Sequence, residues 1–370
     1  MTRPGSIISI QILRGIAALF VVIGHTQGMG REFAALSNTT FTSWQPIPWG
    51  VGVDLFFVIS GFIIFYSSKK YVAGDQPRQT FFIHRIARLV PLYWTCTCLA
   101  LGLTAAKKAL GFAQAEPFAY AGAIIASLLF LPIYGPGNNG LAFPVYNLGW
   151  TLNYEMFFYA LFALCLGQSH LGSAGRVLTA LGIVVAFGLI SATEVLPLAF
   201  WAQPIVLEFG VGIVIAVLHE RVSLPPLARI GLIAAGAALI LLMPFGSPPE
   251  IDGTNLNGLP RFVTMGIPAA LVIAGAALGR DISPARWLTV PVEIGNASYS
   301  LYLIHPFVIF AVSVVFRRSA LFAKLPLPVL VLAVILLASV VAIISYHRFE
   351  RPSARAVAQF FTPARRKLAR

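Results

Sequence analysis

Residues 329–344, with the sequence VLVLAVILLASVVAII, contain no charged side chain and do not alternate between apolar and polar positions. A strand of a membrane β-barrel alternates in this way over about ten residues, so this run does not suit a barrel. Together with its flanks, the run is long enough to cross the hydrocarbon core of a bilayer as a helix. The sequence therefore predicts a membrane helix here and an all-α fold for the chain.

The composition of the whole chain supports the same fold class. Of its 370 residues, 58% are hydrophobic and 11% are charged, whereas soluble domains carry about 25% charged residues. This composition excludes a soluble globular protein and a disordered one, and three cysteines do not make a disulfide framework. We therefore interpret the net charge of +13 through its distribution across a membrane, and we expect no nucleic-acid partner.

Ten stretches are apolar and long enough to cross a bilayer. These predicted spans are 7–29, 49–67, 85–105, 146–167, 175–192, 202–219, 227–244, 261–279, 294–316 and 327–347. A shorter stretch, 119–134, ends in a turn-rich run; if it crossed, most Lys and Arg would lie outside the cell instead of inside. We predict ten transmembrane helices, cytoplasmic termini, and a re-entrant or interfacial 119–134. Residues 1–350 would form one transmembrane domain, and the basic tail 351–370 would lie along the anionic inner leaflet.

The first predicted helix carries two ionisable side chains. Arg14 and His25 are eleven residues apart, which places them on one helix face about 16 Å apart. Because an arginine exposed to lipid is costly, this face is expected to look into the protein. Asp54 lies at a similar depth in the second helix, where a carboxylate could fix the tautomer of an imidazole. The sequence leaves open whether Asp54 contacts His25, and whether Arg14 and His25 are structural groups.

Arg85 and Arg88 lie at the cytoplasmic mouth of the third predicted helix. Their i, i+3 spacing places both guanidinium groups on one helix face. Such a pair suits phosphates, as in a nucleotide or a coenzyme that carries a pyrophosphate. Anchoring of the helix by the positive-inside rule is the alternative.

A further acid, Glu155, lies inside a predicted span beside Asn153 and Tyr154. We expect it to pair with Arg14 or Arg88, or to bind a substrate through hydrogen bonds. A purely structural ion pair is the alternative for this carboxylate.

Ser298, Tyr302 and His305 form a polar stripe on a late helix. His305 precedes Pro306 and is either structural or directed at a substrate. Glu208 is an intramembrane acid for which the sequence suggests no partner. The chain contains no zinc-protease motif, P-loop or dinucleotide fingerprint, so we expect no metal.

Taken together, these segments resemble the acyltransferase 3 family of bacterial integral-membrane acyltransferases. The matching motifs occur in family order over almost the whole chain. They are Arg14-x10-His25, GVDLFFVISGF at 52–62, Arg85-x-x-Arg88, PLYW at 91–94, WTLNYEMFFY at 150–159, Ser298 to Pro306, and ERP at 350–352. The compact length and the 150–159 segment are most similar to the exopolysaccharide-production branch, which O-acetylates secreted polysaccharide.

The resemblance implies an enzyme of the bacterial cytoplasmic membrane that takes an acyl group, with acetyl expected, from cytoplasmic acyl-CoA. The acceptor would be a hydroxyl of an exopolysaccharide or of a lipid-linked saccharide. The donor would lie in a channel between the helices of the first, second, third and 146–167 spans. The essential arginine and histidine of the family fall on Arg14 and His25, and its arginine pair falls on Arg85 and Arg88.

The residues implied for the chemistry divide into three groups. The catalytic candidates are His25, Asp54, Arg14 and Glu155. The candidates for binding the donor are Arg85, Arg88 and Arg14. The candidates for binding the acceptor are Tyr154, Tyr302 and His305. His25 would act as a general base or carry the acyl group as an acyl-imidazole, whereas its distance from Arg14 favours coenzyme or structural contacts for that arginine.

Two alternatives remain at this point. Buried charges in a ten-span protein also suit a transporter or flippase of a lipid-linked saccharide, although we find no inverted repeats in the sequence. The same acyl transfer could serve a lipid or peptidoglycan, because the outer loops show no sugar-binding pattern. The glycine-rich segment 135–140 would be part of an acceptor entrance or an ordinary loop.

Overall fold

The computed structural model describes residues 7–36, 39–72, 77–109, 120–133, 142–191, 197–242, 258–318 and 326–361. All regular structure in these ranges is helical, and no strand occurs within them. The all-α prediction is therefore confirmed. The segment 135–140 lies outside the described residues.

Fifteen α-helical segments follow one another in the described ranges. They are α1 (Ile8–Leu36), α2 (Val51–Val72), α3 (Pro77–Ala109), α4 (Ala121–Leu128), α5 (Trp150–Cys165), α6 (His170–Ser191), α7 (Leu198–Trp201), α8 (Leu207–His219), α9 (Pro226–Leu241), α10 (Leu259–Arg261), α11 (Ile267–Ala277), α12 (Thr289–Asn296), α13 (Ser298–Arg318), α14 (Leu327–Ser345) and α15 (Arg351–Phe361). Two π-helical turns, Phe262–Gly266 and Tyr346–Glu350, join α10 to α11 and α14 to α15.

Seven helical segments in the described part of the chain are long and apolar enough to cross a membrane. They are Ile8–Ala35, Val51–Val72, Pro77–Ala106, His170–Ser191, Leu259–Ala277, Ser298–Phe316 and Leu327–Phe361. Each coincides with one of the ten predicted spans. The other three predicted spans correspond to α5, α8 and α9, which have 16, 13 and 16 residues. The fold is thus that of a helical, multi-pass membrane protein.

The short predicted stretch 119–134 contains only α4, a helix of 8 residues. A helix of this length extends about 12 Å, whereas the hydrocarbon core is about 30 Å thick. The α4 helix is therefore too short to cross the core, in keeping with a re-entrant or interfacial position.

The chain folds into two compact units. The first unit comprises Met1–Ile63 and Gln203–Ser345, and the second comprises Ile64–Ala202 and Tyr346–Arg370. The division has three boundaries: those after residues 63 and 345 fall within helical segments, and the one after residue 202 falls in a turn.

In the first unit, α1 packs against both α13 and α14. In its first half, Ala18 shares a cluster with Leu301 from the start of α13 and Ala338 from the second half of α14. Near its end, Phe33 stacks on Phe316 with ring centroids 4.1 Å apart, in a cluster that also contains Leu330 from the start of α14. The order of these contacts shows that α1 and α13 run in the same direction, while α14 runs in the opposite one.

Glycines let two further helices of the first unit approach closely. A Cβ at Gly61 of α2 would overlap the carbonyl of Phe209 in α8, and a Cβ at Gly212 would overlap the carbonyl of Val58. Small residues at such positions are typical of helix pairs in membranes, because dispersion contacts between backbones replace the hydrophobic effect there. This close approach brings the first turns of α8 beside the polar residues of α2.

In the second unit, a glycine also fixes how α5 meets α3. The Cβ position of Gly149, just before α5, lies 2.6 Å from the hydroxyl of Tyr93, so only glycine leaves room for the phenol ring. At the other end of α5, Arg78 and Arg176 donate to the carbonyls of Leu166 and Cys165 at 2.9 and 2.8 Å. Cations at a helix C-terminus satisfy its free carbonyls and match its dipole.

Candidate functional site

The most direct contact between predicted site residues joins His25 of α1 to His305 of α13. His25 Nδ1 lies 2.7 Å from His305 Nε2. The rings are within 17° of coplanar and their centroids are 5.0 Å apart. Because the centroids are much farther apart than the two nitrogens, the rings meet edge to edge, as a nitrogen–nitrogen hydrogen bond requires.

The two histidines differ sharply in exposure. His305 is fully buried, with 0% of its surface exposed, and its Nδ1 lies 2.9 Å from the carbonyl oxygen of Leu301. The His25 side chain is exposed. Of the two imidazoles, only His25 is therefore placed to meet a reactant.

Arg14 of α1 forms a hydrogen bond with the first turn of α13, the helix that carries His305. Its Nη2 donates to Ser298 Oγ at 2.9 Å, and its Nη1 donates to Gln11 Oε1 at 3.2 Å. These contacts support the structural role that the sequence left open for Arg14. The polar stripe predicted on α13 is thereby explained in part, because Ser298 and His305 meet the polar face of α1.

Asp54 pairs with Arg261 and not with His25, the partner considered from the sequence. Arg261 donates through Nε to Oδ1 at 3.1 Å and through Nη2 to Oδ2 at 2.9 Å, and both side chains are buried. The nitrogen of His25 that a carboxylate would orient is held by His305 instead. No pattern in the sequence points to Arg261, although a buried acid such as Asp54 implies a cation nearby.

Glu208 lies beside this ion pair. It is fully buried, interacts electrostatically with Asp54 and Arg261, and its Oε1 fills the space where a Cβ at Gly266 would be, 2.8 Å away. Its carboxyl group lies close to that of Asp54. One guanidinium and two buried carboxyl groups thus form a cluster.

The second unit contains a separate arginine cluster, which we define as Arg85, Arg88, Glu155, Tyr159 and Glu350. The hydroxyl of Tyr159 donates to Glu155, and both carboxylates lie in the electrostatic field of Arg88. The predicted pairing of Glu155 with Arg88 is therefore supported. Glu350 comes from the ERP motif, so two of the segments noted in the sequence meet in this cluster.

Arg85 has direct contacts on two sides of its guanidinium group. It donates through Nη2 to Ser67 Oγ at 2.7 Å, its guanidinium carbon lies 5.2 Å from the Phe81 ring centroid, and the residue is buried. Arg88 is only partly buried. Of the predicted pair, Arg88 is thus better placed to bind a phosphate.

Additional positive charge lies next to the arginine cluster. His84 Nδ1 is 2.8 Å from the hydroxyl of Tyr71, and its ring lies in the field of Lys70 and Arg85. Lys69 and Lys70 are exposed at the end of α2. The charges of these lysines offset the two carboxylates of the cluster. Their position just after the predicted span 49–67 is visible in the sequence.

Several buried polar side-chain atoms of the second unit lack hydrogen bonds within the described residues, Trp201 Nε1 among them. Two further examples are Asn153, through both amide atoms, and Tyr93, through its hydroxyl. Gly149 touches Tyr93 and lies one helical turn before Asn153, so both polar groups occur at the same end of α5.

The two tyrosines predicted to bind the acceptor lie in aromatic surroundings. Tyr154 is fully buried and stacks on Phe200 with centroids 4.2 Å apart. Tyr302 is buried and meets the edge of Phe56 at 6.1 Å. Their role toward an acceptor stays a prediction.

Comparison with known proteins places this arrangement in a family. A family profile described as an acyltransferase domain, of the acyltransferase 3 type, matches residues 7–347. The chain is 32% identical over 317 residues to "Exopolysaccharide production protein ExoZ" of Rhizobium meliloti (strain 1021), covering 82% of this chain and 89% of that protein. It is 31% identical over 171 residues to "Protein 2 in picA locus" of Rhizobium radiobacter, covering 43% of this chain and 82% of that protein. No solved structure matches the chain.

The helical, multi-pass fold with buried ionisable groups defines a membrane protein with a polar interior. The chain belongs to the acyltransferase 3 family, since the family profile covers almost its whole length. The resemblance drawn from its motifs is thereby confirmed.

Proposed function

We propose that this protein transfers an acyl group, with acetyl as the expected donor group, from cytoplasmic acyl-CoA to a hydroxyl of an exopolysaccharide or lipid-linked saccharide. Family membership supports the acyl transfer, and the similarity to an exopolysaccharide production protein supports the acceptor class. The observation that carries the proposal is the exposed imidazole of His25, held through one nitrogen by His305.

His25 would act as the general base. Its free nitrogen takes the proton of the acceptor hydroxyl while that oxygen attacks the thioester carbonyl. The tetrahedral intermediate then collapses, the carbon–sulfur bond breaks, and the proton passes to the departing CoA thiolate. The products are the O-acyl ester and CoA thiol, so every atom and proton is accounted for.

The donor would bind through the second unit. Arg88, with Arg85 and the neighbouring Lys70, supplies the positive charge that the phosphates of CoA require. The amide of Asn153 and the hydroxyl of Tyr93 suit the two amide groups of a pantetheine arm, because a buried polar group without a partner is costly. These five side chains lie on α2, α3 and α5.

We place the enzyme in the bacterial cytoplasmic membrane, with ten crossings and both termini inside. Successive spans alternate in direction, so parallel helices must be separated by an odd number of spans. The parallel course of α1 and α13 supports this arrangement, since seven predicted spans separate them if 119–134 does not cross and eight if it does.

The test is the release of CoA thiol from acetyl-CoA by purified protein, with the polysaccharide or lipid-linked saccharide of the producing cell as acceptor. Release that depends on both the acceptor and His25 is expected, so His25→Ala should lose it. His347→Ala, which changes an exposed histidine, is the matched control. Thiol release by His25→Ala at the wild-type rate would contradict the role of His25. Transport of a lipid-linked saccharide by folded protein that releases no thiol would favour the flippase alternative.

A further inference from the structure

We propose that His305 is a positioning residue that fixes the tautomer of His25, so that the nitrogen facing the reactants is the unprotonated one. This inference rests on the proposed function, in which His25 acts as the base. It is carried by the chain of contacts that joins Leu301, His305 and His25.

The chain begins at a backbone carbonyl. His305 Nδ1 lies 2.9 Å from the oxygen of Leu301, and the carbonyl of Tyr302 also lies within hydrogen-bond reach of this histidine. A carbonyl oxygen can only accept, so Nδ1 of His305 must carry a proton. Pro306 follows His305 directly and has no N–H to donate to the carbonyl of Tyr302, one turn earlier. The His-Pro pair thus leaves that carbonyl able to accept from the ring.

The second step concerns the other nitrogen of His305. The ring is fully buried, and a buried imidazolium without a counter-charge is costly. A neutral imidazole carries one proton, which the backbone contact assigns to Nδ1. Nε2 of His305 is therefore an acceptor, 2.7 Å from His25 Nδ1.

The last step assigns the proton on His25. Two nitrogens 2.7 Å apart need one proton between them. Since His305 Nε2 accepts, His25 Nδ1 must be the donor, and His25 Nε2 carries a lone pair. No described residue forms a hydrogen bond with that Nε2, and the side chain is exposed.

The arrangement differs from a carboxylate–histidine pair in one respect. A carboxylate both selects the tautomer and stabilises the positive charge that forms on the base. A neutral, buried imidazole selects the tautomer and orients the ring without adding a negative charge. His305 does not touch reactants and is therefore not itself a catalytic residue.

The experiment compares wild-type protein with His305→Leu and His305→Gln. Glutamine offers a carbonyl oxygen that can accept from His25 Nδ1, whereas leucine fills similar space and accepts nothing. Ser313→Ala, a buried polar change on the same helix, is the matched control. Thermal unfolding in detergent verifies that each variant folds.

The first measurement is the ¹⁵N NMR spectrum of ring-labelled histidine, with the signals of His25 assigned by their loss in His25→Ala. We expect a protonated Nδ1 and an unprotonated Nε2 on His25 in the wild type, and loss of this single tautomer in His305→Leu. A wild-type His25 with its proton on Nε2 would overturn the proposal. This measurement needs no activity, so it decides the tautomer even if the proposed acyl transfer is wrong.

The second measurement is the rate of thiol release. Loss of the group that orients a metal-binding histidine typically costs about 10–100-fold in affinity or activity, and His305 would orient His25 in the same way. We expect this loss in kcat for His305→Leu, with an unchanged KM for acetyl-CoA and partial recovery of kcat in His305→Gln. Folded His305→Leu with the wild-type kcat would refute the positioning role. An inactive wild type would instead count against the proposed function, while the spectrum still decides the tautomer.

Discussion

Arg261 binds Asp54 through two hydrogen bonds, although 207 residues separate them in the chain. Both side chains are buried, and the pair joins α2 to the start of the helical segment that contains α11. The two parallel contacts give the planar geometry in which arginine binds a carboxylate most strongly. Asp54 is therefore fixed in position by a structural partner.

Removal of one member of this pair should destabilise the protein. Arg261→Leu leaves Asp54 buried without its cation, which typically costs about 3–5 kcal/mol. We expect a clear loss of thermal stability in detergent. The double variant Asp54→Leu with Arg261→Leu should recover part of the loss, because it leaves no unpaired Asp54. A double variant less stable than Arg261→Leu would contradict this account.

Arg88→Gln should weaken binding of the donor while leaving the chemical step intact. A lost charge-assisted hydrogen bond is worth about 1.5–3 kcal/mol, so KM for acetyl-CoA should rise by about tenfold or more. Acetyl-pantetheine lacks the nucleotide phosphates, and its KM should not change. Arg355→Gln on α15, an exposed position, is the control. An equal rise in KM for both donors would contradict the proposal that Arg88 binds the phosphates.

Gly61→Ala should destabilise the contact between α2 and α8. The added Cβ would overlap the carbonyl of Phe209, and overpacking of this kind typically costs about 1–3 kcal/mol. Gly231→Ala on α9 is the matched control, because no atom lies within 4 Å of the new Cβ there. Alanine also has the higher helix propensity. We expect a lower midpoint of thermal unfolding for Gly61→Ala only, and equal midpoints would contradict the close approach.

Cysteine labelling should test the predicted orientation. In a background without Cys96, Cys98 and Cys165, single cysteines at Ser43 and Arg355 report on opposite sides of the membrane. A membrane-impermeant thiol reagent should label position 43 in intact cells, and position 355 only after the membrane is permeabilised. Labelling of position 355 in intact cells would place the C-terminal helix outside.

The sequence predicted the fold class because the hydrophobic effect acts on every residue of a span. The apolar run at 329–344 lies within α14, and α1, α2 and α3 also occupy predicted spans. Predicted span ends were less accurate where helices are short, as for α5, α8 and α9. There, the apolar pattern extends into turns that only the surrounding structure defines.

The candidate site was predicted in part. His25, the arginine pair and Glu155 were found because a charged or titratable side chain in a membrane span is costly and therefore conspicuous. Their partners were harder to predict. Arg261 lies at the edge of a predicted span, where a basic residue is ordinary, and no local pattern connects it with Asp54.

The sequence by itself determined that this chain is a helical membrane protein of the acyltransferase 3 family, and which ionisable side chains its helices carry. Those properties depend on composition, periodicity and local motifs. Only the tertiary structure decided which groups meet: His305 with His25, Arg261 with Asp54, and Glu350 with Arg88. Contacts between helices depend on how glycines, ring faces and charged groups fit across hundreds of residues, and this packing leaves no periodic signal along the chain.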